Sequence, residues 1–180
     1  MRSHIALLRG INVGGNNLVR MADLRGFFLN LGLSDAQTLL QSGNVVFRAV
    51  GRTSEELETL LEEQAEEHLG IRITFMVRTS QEWNDLIAEN PFPAEAESDP
   101  SHLLAVALKD EAPADGIVAL QAAISGPERI AGSGRHLYVV YPDGMGPSKV
   151  SRTPGWNKLV GPGTARNWNT VLKIAAMTRS

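Results

Sequence analysis

Residues 4–8, "HIALL", and 102–108, "HLLAVAL", carry apolar side chains at consecutive rather than alternate positions. Neighbouring side chains of a strand point to opposite faces, so such runs make strands that are buried on both sides. A sheet with one wet face would alternate. The chain is therefore expected to build sheets covered on both faces, one face by helices and the other by a sister half or a second subunit.

The segments around these strands complete the pattern. After the first strand, helical spacing of Leu24, Phe27, Phe28 and Leu31 predicts a helix over about 21–31, closed by Gly32. "TLLQSGNVVFRA" (38–49) reads as a tight hairpin. Thr53 and Glu56 form a capping box for a helix ending at Gly70, with Leu57, Leu60, Leu61 and His68 on one face. Its seven glutamates, from Glu55 to Glu67, read as a solvated surface. "IRITFMV" is then a strand. The order βαββαβ is the ferredoxin-like split pattern. Thr79 and Glu82 cap a short helix, and "NPFPAEAESDPS" (90–101) reads as a linker. The second half repeats the order with "HLLAVALK", a helix over "ADGIVALQAAIS" and a hairpin in "ERIAGSGRHLYVVY". Its last helix is expected to begin near Thr164 as N-cap, with Trp168, Val171, Leu172 and Ala175 inward, which leaves no fourth strand. The fold class expected is α+β: two related ferredoxin-like split βαβ halves, the second incomplete. The boundaries are 1–79 for the first half, 80–101 for the short helix and linker, and 102–180 for the second half.

Composition narrows the function classes. The chain has 180 residues, 43% hydrophobic and 21% charged, with no cysteine. That excludes disulfides, thiolate metal sites and a cysteine nucleophile. No apolar run approaches the roughly 18 residues of a membrane span, and the opening residues have no leader pattern, so a cytoplasmic protein is expected. The net charge of −3 is unevenly placed. Residues 1–50 hold five Arg against two Asp, residues 51–130 hold five basic against seventeen acidic residues, and residues 131–180 hold seven basic residues against one Asp. Basic ends that met in space would attract an anion.

Five motifs, "ALLRGINVGGNN", "QSGNVVF", "NPFP", "YPDGMGPSK" and "ARNWNT", together resemble the bacterial family of uncharacterised proteins known as domain of unknown function 1697. The resemblance runs from Ile5 to about Leu172. It implies a small cytoplasmic bacterial protein of two α+β subdomains. It implies no activity, and no catalytic residue is carried over.

Several chemistries fail on residue type. Gly10 to Gly15 has P-loop glycine spacing, but Asn16 and Asn17 stand where the Lys and the hydroxyl residue are needed. No G-x-G-x-x-G fingerprint opens a helix after a strand. His4, His68, His102 and His136 are isolated in sequence, so no metal site is expected and no cofactor is implied. Ser42 lies in "QSGN", outside any nucleophile elbow, and no base is in sight for it. The first strand lacks the stacking aromatics of an RNA-binding sheet.

Anion binding remains. The split βαβ topology brings the loop after the first strand to the hairpin turn, so Asn12, Gly14, Gly15, Asn16 and Asn17 are expected near Ser42 and Asn44, with Arg20 before the helix. Arg9, further down the strand, reads as buried and in need of an acidic partner. A second set, Lys149, Arg152 and Arg166, sits in or after the Gly/Pro-rich stretch 141–163. Trp168 reads as core, and Trp156 as a loop anchor or a stacking ring. The function expected is binding of an anionic small molecule, a nucleotide or phosphorylated metabolite. The alternatives are a metal-independent transferase or hydrolase using the same cleft, or nucleic-acid or protein binding through a basic surface, of which nucleic acid is weakly supported. No membrane partner is expected, and the oligomeric state is left open.

Overall fold

The computed structural model describes residues 2–15 and 17–179. The chain divides into two compact units, Met1–Asp85 with Lys173–Ser180, and Leu86–Leu172.

The first unit runs β1 (Arg2–Arg9), α1 (Met21–Asn30), β2 (Ser34–Leu39), β3 (Asn44–Ala49), α2 (Ser54–Leu69) and β4 (Thr74–Thr79). The strands pair antiparallel in the order β2-β3-β1-β4. Ala6 and Leu8 point to the helical side, where they join Leu24, Phe27 and Phe28 of α1 and Leu57, Leu61 and Ala65 of α2. Phe28 packs edge-on against Phe47 with ring centroids 5.0 Å apart. Ile5 and Leu7 on the opposite face are 0% and 1% exposed, so β1 is buried on both sides. The predicted capping box is present: Glu56 N–H donates to Thr53 Oγ1 and Thr53 N–H to the Glu56 carboxylate. Gly70 ends α2 at φ 69°.

The glutamate run is not simply a solvated face. β4 is an edge strand, whose outward amides need acceptors. Glu62 accepts from Phe75 N–H at 2.9 Å and Glu58 from Val77 N–H at 2.7 Å. Four helical residues rise about 6 Å and two strand residues about 6.7 Å, so glutamates at i and i+4 match alternate edge amides. Glu82, the capping-box residue of the next helix, takes Thr79 N–H at 2.6 Å. Glu58 is consequently 4% exposed and lies 3.5 Å from the buried Arg78 guanidinium.

After α3 (Ser80–Ala88) and α4 (Pro93–Ser98) the chain forms β5 (Leu103–Ala107), α5 (Ala114–Ala123), β6 (Arg129–Ser133), β7 (His136–Val140), a single 3-10 turn at Val150–Arg152, α6 (Trp156–Leu159), β8 (Thr164–Asn167) and α7 (Trp168–Met177). The second sheet has the order β6-β7-β5-β8, all antiparallel. All five residues of β5 are buried.

Several local readings are corrected here. The second half is complete, because residues 164–167 form β8 against β5 rather than opening the last helix. Thr164 pairs with Ala107, and Asn167 caps α7 by accepting from Thr170 N–H at 3.0 Å. Leu172 is 45% exposed, and Ile174 joins the buried stripe instead. The segment 90–101 carries α4, with Pro93 at its first turn, where a missing N–H costs nothing. Trp156 is 7% exposed in the core of the second unit, with Val150 and Val160.

Candidate functional site

The β1–α1 loop meets the β2–β3 turn as the topology requires. Leu8 N–H donates to Gly43 O at 2.9 Å. Gly43 adopts φ 78°, and a Cβ there would fall 2.7 Å from Ile11 Cδ1 and 2.8 Å from Leu8 Cβ. Only glycine lets the turn lie this close under the loop.

The loop's carboxamides build the loop itself. Asn12, at φ 55°, donates from Nδ2 to Val19 O (3.0 Å) and Gln41 O (2.8 Å), and its Oδ1 accepts from Val19 N–H (2.9 Å). Asn17, at φ 48°, donates to Gly10 O at 3.2 Å. Asn44 is 1% exposed and donates to Leu39 O at 2.7 Å and Ser42 Oγ at 3.2 Å. Asparagine tolerates left-handed backbone angles and can bond to nearby main chain, which explains its use here. Arg20 makes a two-point ion pair with Asp23 at 2.8 and 3.0 Å. That pair raises the Arg20 pKa and lowers that of Asp23, through their hydrogen bond first. Arg9 is exposed, against the reading that buried it. Asn16 lies outside the described residues.

The open part of the loop is backbone. Gly14 and Gly15 are exposed at φ 59° and 79°, with nothing within 4 Å of where a Cβ would stand. Val13 and Leu18 beside them are 66% and 73% exposed.

In the second unit the three basic candidates take different places. Arg166 is 8% exposed, and its Nη1 donates to Thr164 Oγ1 and Ala165 O, both at 2.8 Å. Burial lowers its pKa to about 10. Arg152 is exposed on the 3-10 turn. Lys149 is exposed on the rim of a cavity of about 230 Å³ between residues 124–128 and 143–153.

That cavity holds residues the sequence reading passed over. Ser148 Oγ donates to Glu128 Oε1 and accepts from Val150 N–H at 3.2 Å. Glu128 is 6% exposed. Its carboxylate lies over Gly126, where any Cβ would collide with it. Burial raises the Tyr141 phenol to about 12, helped by the charge of Glu128. Asp143 and Gly144 complete the wall. Behind Gly144 stands His102, whose Nδ1 bonds to Asp99 at 2.7 Å. Hydrogen bonds from His102 and then Ser101 hold the Asp99 carboxyl below its ordinary range. The only sequence signal for this site was "YPDGMGPSK" itself, because Glu128 is twenty residues from Ser148. Among the described residues, no three His, Asp or Glu side chains come together as a metal site.

Comparison with known proteins is consistent with this architecture. The chain resembles the solved structure of the conserved bacterial protein SP0830 from Streptococcus pneumoniae, with a TM-score of 0.75 and 23% sequence identity over 100% of this chain and 99% of that one. At that identity the likeness speaks for the fold alone. No curated protein matches the chain. The family model described as "Protein of unknown function (DUF1697)" matches residues 1–138, stopping short of "YPDGMGPSK" and "ARNWNT". With most of its length matched, the chain belongs to the DUF1697 family.

Proposed function

We propose that this protein binds an anionic small molecule, a nucleotide or phosphorylated metabolite, through the backbone of the β1–α1 loop. The observation that carries the reading is the pair Gly14 and Gly15: adjacent left-handed residues, open to solvent, at the approach to α1. Successive amides in such a turn form a concave donor set for oxyanions. The partners made by Asn12, Asn17, Asn44 and Arg20 refine the proposal. Asn12 and Asn17 hold the loop in shape, Asn44 holds the hairpin turn, Arg20 is taken up by Asp23, and main-chain N–H groups do the binding. Ser42 Oγ accepts a hydrogen bond from Asn44 Nδ2. In the second unit Lys149 and Arg152 are exposed cations that would meet an anion on their own surface, apart from the loop, while Arg166 braces β8. A cytoplasmic location belongs to this proposal, as does descent of both halves from one unit, which the shared strand order supports. No helix among the described residues is long and apolar enough to cross a membrane.

Amide NMR spectra titrated with inorganic phosphate, pyrophosphate and a nucleoside triphosphate test the reading. Saturable shifts at Gly14 and Gly15, weakened by Gly14→Ala, are expected. A ligand at a hundredfold excess over its Kd would add about 2.7 kcal/mol of stability. A panel that moves neither the amides nor the melting temperature would refute small-anion binding.

A further inference from the structure

We propose that Ser148 is a nucleophile, activated by Glu128, in a site that hydrolyses short-chain carboxylic esters. The inference concerns the cavity of the second unit and is independent of the loop.

Ser54, Ser101 and Ser148 each donate a hydrogen bond to a carboxylate. Ser54 donates to Glu82 at 3.0 Å, but it is 5% exposed, and the same carboxylate closes the amide of Thr79. Ser101 donates to Asp99 at 2.9 Å on an exposed surface. Ser148 alone of the three lines a cavity, and its partner Glu128 lines it too. The hydroxyl proton has one direction, because Val150 N–H occupies one lone pair of Oγ and the Glu128 carboxylate, an acceptor when ionised, takes the proton. The second lone pair is left for an electrophile. A nucleophile in hydrogen-bond contact with its base is the geometric mark of covalent catalysis. Lys149, on the same wall, is the cation available to a developing oxyanion. The cavity of about 230 Å³ is smaller than the roughly 300–1,000 Å³ of pockets for larger ligands, which restricts the acyl group to a short one.

The reaction balances without redox chemistry. Ser148 Oγ bonds to the ester carbonyl carbon as its proton passes to Glu128. The bond from that carbon to the alkoxy oxygen breaks, and the departing oxygen takes the proton back and leaves as the alcohol. Water then attacks the acyl-serine, giving its proton to Glu128. Ser148 leaves with that proton and the carboxylic acid is released.

A fluorophosphonate probe on the full-length protein, read by intact mass and peptide mapping, tests this. One adduct on Ser148 is expected, absent in Ser148→Ala and formed at least roughly a hundredfold more slowly in Glu128→Gln. p-Nitrophenyl acetate should be turned over with the same dependence. Thermal melting of each variant checks folding, and the wild-type adduct decides the matter even where a variant is destabilised. No adduct on the folded wild type overturns the proposal, as does labelling of Ser101 in place of Ser148 or an unchanged rate in a folded Glu128→Gln. Since the anion titration is read at Gly14 and Gly15, the two proposals fail separately.

Discussion

The two units share a strand order but cross from their third strand to their fourth differently. In the first, the sixteen-residue α2 makes the crossing. It buries Leu57, Leu61 and Ala65 on the sheet and closes the β4 edge with Glu58 and Glu62. In the second, residues 141–163 hold only a 3-10 turn and the four-residue α6, which bury Val150, Trp156 and Val160. A full helix satisfies its own backbone and leaves side chains free to seal the sheet. An irregular stretch bonds its backbone piecemeal, through groups such as Ser148 Oγ to Val150 N–H, and packs less completely. The comparison teaches that the helix-covered crossing is built for stability, and that the irregular one leaves a cavity with polar walls.

The comparison breaks if Glu58 proves dispensable. Glu58→Ala removes the acceptor of Val77 N–H and the carboxylate beside buried Arg78, and is expected to cost about 3–5 kcal/mol in denaturant unfolding. Glu58→Gln, which keeps an acceptor, should cost less. Gly43→Ala comes next, at about 2–3 kcal/mol, from its Cβ contacts with Ile11 and Leu8 and its φ of 78°. Gly14→Ala meets no atom within 4 Å, so it should cost only the left-handed backbone penalty of about 1 kcal/mol. Asn12→Ala, which loses three hydrogen bonds, should fall between these at about 2 kcal/mol.

A smaller effect concerns His4. It is 1% exposed, stacks on Phe47, donates from Nδ1 to Arg2 O, and has no partner for Nε2 among the described residues. Burial, the largest influence, lowers its pKa, opposed by the Arg2 carbonyl and Glu82. The unfolded chain therefore takes up a proton near pH 6.5 that the folded ring resists. Stability is full above that pH and declines as pH falls towards the folded pKa. His4→Phe should flatten this part of the pH profile, measured by urea midpoints. Smallest of all, Arg20→Ala removes an exposed ion pair and should leave the melting temperature unchanged.

Much of the first unit was legible because its signals are local. The Thr53–Glu56 box, Gly70 at the end of α2 and the hairpin turn each depend on a few adjacent residues. β8 was missed because four residues, Thr164–Asn167, carry too short a pattern to be told from a helix start. Asn12, Asn17 and Asn44 were placed in the right neighbourhood, but their roles turned on which main-chain groups came within reach.

The sequence by itself determined the covered sheets, the α+β class, the order of elements and the caps of α2 in the first unit, and the meeting of the β1–α1 loop with the Ser42–Asn44 turn. Period-two and helical patterns and turn residues act over short range and survive without knowledge of partners. Tertiary structure alone decided that Glu58 and Glu62 serve a strand edge rather than water, that Arg166 is buried, and that Ser148 holds its hydroxyl to Glu128 in the wall of a cavity. A carboxylate, a guanidinium or a hydroxyl has the same sequence signature in every setting. Its function is set by the group opposite and by the water excluded between them.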